Sequence, residues 1–93
     1  MRTIFSVGLT PSARTPQTAH LPVDAGLLCV RMQGDTPTLW LLGTTSGPTQ
    51  QVTFVLLGTG DAVRDGERGD RYLGTVQEHP GAPVWHVFRA TDG

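Results

Sequence analysis

The sequence predicts an all-β protein, a small antiparallel sandwich or partly open barrel of about seven short strands in a single domain spanning residues 1–93. Three observations predict it. Twelve glycines and seven prolines break the chain so often that the longest stretches free of both, 49–57 and 84–92, are nine residues, shorter than a mean helix of about 11 to 12. The intervals between breakers are rich in Val, Leu, Phe, Thr and Trp, which suit a pleated, half-buried surface. They recur at near-regular spacing with turn residues between them, as in sandwiches and small barrels.

Each element follows from local pattern. Thr3 to Leu9 alternates Thr, Phe, Val and Leu against Ile, Ser and Gly, a first strand, and SARTPQ after Pro11 is loop. A short strand over Thr18 to Leu21 ends at Pro22. Leu27 to Gln33 puts Leu28, Val30 and Met32 on one face and Leu27, Cys29 and Arg31 on the other. Gly34-Asp35 is a turn into Thr38 to Leu42, which ends at Gly43. After the polar TTSGPTQ, Gln51 to Leu57 carries Val52, Phe54 and Leu56 on one face and Val55 and Leu57 on the other. Both faces being apolar, this strand predicts that a second copy covers the outer one, a homo-oligomer. Asp70 to Gln77 and Val84 to Arg89 complete the set, separated from the fifth strand by the charged DAVRDGERGDR of residues 61 to 71, an exposed connection.

The triplet Leu-Gly-Thr recurs in WLLGTT, VLLGTG and RYLGTV, with Gly43, Gly58 and Gly74 spaced by 15 and 16 residues. This is the period of a strand and its connection in a meander, and the flanking sequences differ, so it is punctuation and not an internal repeat. Gly43 and Gly58 end strands where a turn begins and positive φ is often needed. Gly74 falls inside its strand, where glycine marks a bulge or a close backbone approach.

A formal charge of −1 gives no electrostatic reason to bind a nucleic-acid polymer or an anionic membrane. No apolar run approaches the ~20 residues of a membrane span, the start MRTIFSVGL lacks a signal-peptide core, and a cytoplasmic protein is expected. One cysteine, Cys29, excludes an intrachain disulfide and is flanked by Leu28 and Val30 as inert packing. Every basic side chain is arginine, through gene composition or because guanidinium forks suit phosphate and carboxylate.

No Walker or Rossmann loop is present, yet consecutive amides at Gly58-Thr59-Gly60 can form an anion-binding nest with the Thr59 hydroxyl as a further donor, the alternative being a tight turn. His20, His79 and His86 lie on separate elements without metal-ligand spacing, so no metal or cofactor is expected. No nucleophile with an evident base stands out, and a pair such as Asp61 with His86 is the weaker, enzymatic reading. Trp40, Tyr72 and Trp85 on strands could stack on a base.

The order RTIF, QTAHLP, LLCVRMQG, LW, the GTG of residues 58 to 60, YLGTV at 72 to 76 and VWHVF at 84 to 88 resembles a family of short uncharacterised phage and prophage proteins, over nearly the whole chain. Where that family often has a Pro-Gly-Ala turn after the second strand, this chain has Pro22-Val23-Asp24-Ala25-Gly26. The resemblance implies a small β protein with no established activity. By analogy it implies a non-catalytic immune-evasion sponge in the cytoplasm of an infected bacterial host, holding a cyclic or other nucleotide signal. The expected ligand set is Gly58, Thr59 and Gly60 toward phosphate, Arg71 or Arg89 for charge, Tyr72, Trp40 or Trp85 for stacking, and His86 beside them. The alternative from another class is a module that captures a host protein through an apolar face or open edge, with a nucleotide hydrolase or minor virion component behind it.

Overall fold

A computed structural model describes residues 1–63 and 71–90. The residues form seven strands: β1 (Arg2–Gly8), β2 (Gln17–Pro22), β3 (Gly26–Gln33), β4 (Thr36–Thr44), β5 (Thr49–Gly58), β6 (Tyr72–Gln77) and β7 (Val84–Arg89). The expected charged connection at 64–70, including Asp70 as a strand start, lies outside the described residues.

The seven strands pair with one another only antiparallel, in one sheet of order β1-β4-β3 and another of order β2-β5-β7-β6. This is a sandwich, not a closed barrel. It is not the simple meander that the glycine spacing predicted either: only β3–β4 and β6–β7 are neighbours both in sequence and in their sheet, while β1 waits for β4 and β2 for β5. The β3–β4 hairpin turns on Gly34-Asp35, with Gln33 opposite Thr36 and Gly34 at φ 62°. A two-residue loop with glycine at positive φ in its first position matches the right-handed twist of the strands it joins.

The core lies between the sheets. Leu39 and Leu41 from one meet Leu21, Val52, Phe54, Leu56 and Val87 from the other, all buried. Each such side chain contributes about 1.5–3 kcal/mol by leaving water. Gly74 marks a close approach of the two sheets, since a Cβ there would stand 2.9 Å from both Cβ and Cγ2 of Val30 on β3. It also follows a bulge, the β6–β7 register shifting between Tyr72 and Gly74, so both readings of this in-strand glycine are met. Gly43 and Gly58 are not among the positive-φ glycines. Gly43 instead admits Pro22, whose Cβ and Cγ would lie 3.2 Å from an added Cβ, so close approach and not turn geometry selects it.

A second bulge, between Leu27 and Cys29, overturns the strict alternation expected on β3. Leu28 is 52% exposed, whereas Val30 packs against the core. On β5 the alternation holds, and Val55 and Leu57 on the outer face are only 4% and 2% exposed. They are covered from within the chain. Phe88 and Ala90 pack beside them, the Tyr72 ring meets Phe88 edge-on at 5.5 Å, and Val63 shares a hollow with Leu57 and Phe88. A second copy is therefore not needed to bury this face.

Two side chains take the place of missing strand neighbours in the connections. Gln17 accepts from the Thr10 amide through Oε1 and donates to the Thr10 carbonyl through Nε2, both at 2.6 Å, closing residues 10–17 as a peptide group would. Asp24, in the turn after β2, accepts from the Thr44 amide at 2.9 Å and the Thr44 hydroxyl at 2.6 Å. The hydroxyl bond first, and then the amide bond, hold its carboxyl below the usual aspartate range. This fixes the Pro22-Val23-Asp24-Ala25 turn, where Ala25 N–H donates to the Pro22 carbonyl at 2.9 Å.

Candidate functional site

The expected ligand residues fall on three surfaces. Gly58, Thr59, Gly60, Tyr72 and His86 gather on the outer face of the four-stranded sheet, with Arg71 exposed just before β6. Trp85 and Arg89, which share the parity of the core residue Val87, belong to the inner face, one at each end of the sandwich. Trp40 lies on the far side, on the outer face of the three-stranded sheet, opposite Ser6 and Cys29 in register. They do not form one site.

On the outer face a polar chain links four side chains. His86 shares one hydrogen bond with the Thr59 hydroxyl at its Nε2 (2.8 Å) and another with the Thr75 hydroxyl at its Nδ1 (2.9 Å). Thr75 in turn shares one with the Tyr72 hydroxyl. Thr75 was missed because alternation from Tyr72 puts it on the opposite face. The bulge at Leu73 reverses that parity, and only the cross-strand register Thr75–His86 reveals it. Both imidazole nitrogens are thus engaged by hydroxyls.

The Gly58-Thr59-Gly60 turn has the backbone of a nest, Gly60 at φ 96°, but it already serves an anion of its own. The Gly58 amide donates to the Asp61 carboxylate at 2.7 Å, and the Asp61 amide donates back to the Gly58 carbonyl at 3.1 Å. An incoming phosphate would meet that negative charge. Asp61 and His86 line the same hollow, of about 190 Å³, yet the carboxylate is held by Gly58 and the imidazole by the two threonines, so they make no acid–base pair. Among the described residues no three His, Cys, Asp or Glu side chains converge as metal ligands.

Arg89 is placed quite differently. It ends β7 on the inner face, opposite Phe54 in register, and lines a cavity of about 180 Å³ between the sheets with Leu21, Leu27, Leu41, Phe54, Leu73 and Gln50. The antiparallel register of β2 and β5, with Leu21 opposite Gln50, delivers the amide of Gln50 to the same cavity. Sequence alone offered no signal for Gln50. Among the described residues neither Arg89 nor Gln50 makes a side-chain hydrogen bond or ion pair, and no acidic side chain lines the cavity. A permanently cationic fork with its donors unspent, set in an apolar wall, is an anion receptor in chemical character.

The opposite end of the sandwich holds a second cavity, of about 280 Å³, walled by Trp85 with Met32, Pro11 and Pro83, and with Asp35 and Glu78 at its rim. Its charge is of the wrong sign for a phosphate, so Trp85 does not stack over the ligand that Arg89 would hold.

A family model described as a domain of unknown function, DUF7352, matches residues 1–93. No curated protein and no solved structure matches the chain.

Proposed function

We propose that this chain, which belongs to the DUF7352 family, is a non-catalytic binding protein for a small anionic ligand, seated between the two sheets with its anionic group on Arg89. The observation that carries this reading is the unspent guanidinium in a cavity otherwise lined by apolar side chains and the Gln50 amide. The absence of turnover is supported by the outer face, where His86 and Asp61 are both committed to structural partners. In a phage-encoded setting such a protein would hold a signal or metabolite of the host cytoplasm out of circulation. The cyclic-nucleotide sponge is the narrower version of this role, and it needs more volume than the cavity at Arg89 encloses.

The test is a thermal-shift panel of small anions beside a mass measurement of the ligand released on denaturation. At a hundredfold excess over Kd a ligand adds about 2.7 kcal/mol, so a bound anion should raise Tm by about 10–20 °C in a domain of this size. Release of an altered molecule, or a flat panel, would reject the reading.

A second reading, capture of a protein, is favoured by one feature. On the outer face of the three-stranded sheet Ile4 is 62% exposed, and it stands in register with half-buried Leu42 and beside Trp40. Ile4→Asp separates the two readings, since it should leave any anion-induced shift intact.

A further inference from the structure

Resting on the proposed anion-binding role of Arg89, we infer that the cavity selects a monoanionic carboxylate with a short apolar body of about six carbons, and not a phosphate ester or nucleotide. Size argues first. An apolar cavity of about 150 Å³ accepts benzene, so about 180 Å³ admits a body of that order, whereas sites for drug-sized ligands run from about 300 Å³ upward. A base with its ribose exceeds that volume and would stand partly outside it.

Charge and donors argue next. Among the described residues one guanidinium and one primary amide face the cavity, with no second cation lining it. A carboxylate accepts both arms of the guanidinium fork and has lone pairs left for the Gln50 N–H, which neutralises the pair and uses the available donors. A phosphate dianion in the same place would leave a full negative charge against Leu21, Leu27, Leu41 and Phe54, a burial that apolar surroundings penalise heavily. The wall argues last. Leucines from four strands and Phe54 line the cavity beside Arg89, so the remainder of the ligand must be apolar to displace water from them profitably.

The experiment is an NMR titration of the whole chain that follows the Arg89 Nε–H resonance, with hexanoate, hexanol, inorganic phosphate and adenosine monophosphate as probes. Hexanoate should shift that resonance saturably. Hexanol, with the same body and no charge, should bind at least tenfold more weakly, and phosphate and the nucleotide should not saturate. Arg89→Gln should weaken hexanoate at least tenfold, and Leu27→Trp, which narrows the cavity from its partly exposed side, should do so with the guanidinium intact. Saturable, Arg89-dependent binding of phosphate or nucleotide in place of hexanoate would overturn the ligand class and leave the anion-binding role standing. A resonance that no anion moves would overturn both, and hexanol binding as well as hexanoate would show a greasy cavity to which Arg89 contributes nothing.

Discussion

Replacing Gly74 by alanine adds one methyl group where β6 lies close against β3 of the other sheet. Its carbon would lie 2.9 Å from Cβ and from Cγ2 of Val30, against a comfortable carbon–carbon separation of about 3.5–4.0 Å. A gap of at least about 0.6 Å must be made up. Val30 cannot supply it by a rotamer change, because one of the two clashing atoms is its own Cβ, and a β-branched side chain is stiff besides. The backbone of β3 or β6 has to move, and overpacking of this kind costs about 1–3 kcal/mol. In a domain of this length each kcal/mol lowers Tm by about 4–8 °C, so a middle value of about 2 kcal/mol corresponds to roughly 8–16 °C. Urea and thermal denaturation of Gly74→Ala, Val30→Ala and the double variant form a double-mutant cycle. Contact between the two positions should appear as a favourable coupling of about 1 kcal/mol or more, the valine truncation being less harmful once the alanine is present. A Gly74→Ala protein melting within about 2 °C of the parent, or additive losses in the cycle, would refute the close packing of β3 on β6.

Two further outcomes are expected. Because Thr44 holds the Asp24 carboxyl below its ordinary value of 3.8, the folded state favours the ionised form; the stability this contributes is present above 3.8 and is lost as pH falls through the lower folded value. Asp24→Asn should therefore flatten the denaturation midpoint across that acid window, and an unchanged pH profile would contradict the Thr44 clamp. Thr75→Val removes the hydroxyl shared by His86 and Tyr72 and should cost about 1 kcal/mol while altering the imidazole nitrogen shifts; shifts identical to the parent would dissolve the chain of hydrogen bonds.

Local pattern was enough for the strands and not for their arrangement. All seven strands follow from breaker spacing and β-rich composition, β7 with the bounds Val84 and Arg89 that the sequence implied. The face assignments hold wherever the strand is regular, as on β5, and fail on β3 at the bulged Leu28, because an extra residue inverts a period of two. Strand order was illegible for a different reason. The pairings of β1 with β4 and β2 with β5 are decided by which faces bury together, not by anything near the strands in sequence. The candidate site shares that limit. Arg89 could be named as a cation on a strand, but that it faces inward, that Gln50 joins it and that Asp61 occupies the glycine turn all depend on contacts across the fold.

The order of strands also sets a timetable for synthesis on the ribosome. Once Thr44 has emerged, β1, β3 and β4 are all available, and the three-stranded sheet can assemble around the Gly34-Asp35 hairpin. Its leucine-lined underside has nothing to rest on until the partner sheet arrives. That sheet is finished only by β7, which sits between β5 and β6 and ends at Arg89. A nascent chain halted after Gly58 would hold a β2–β5 ribbon whose β5 edge still lacks β7 and a half-built interior, and the residues of β6 and β7 that follow complete the sandwich.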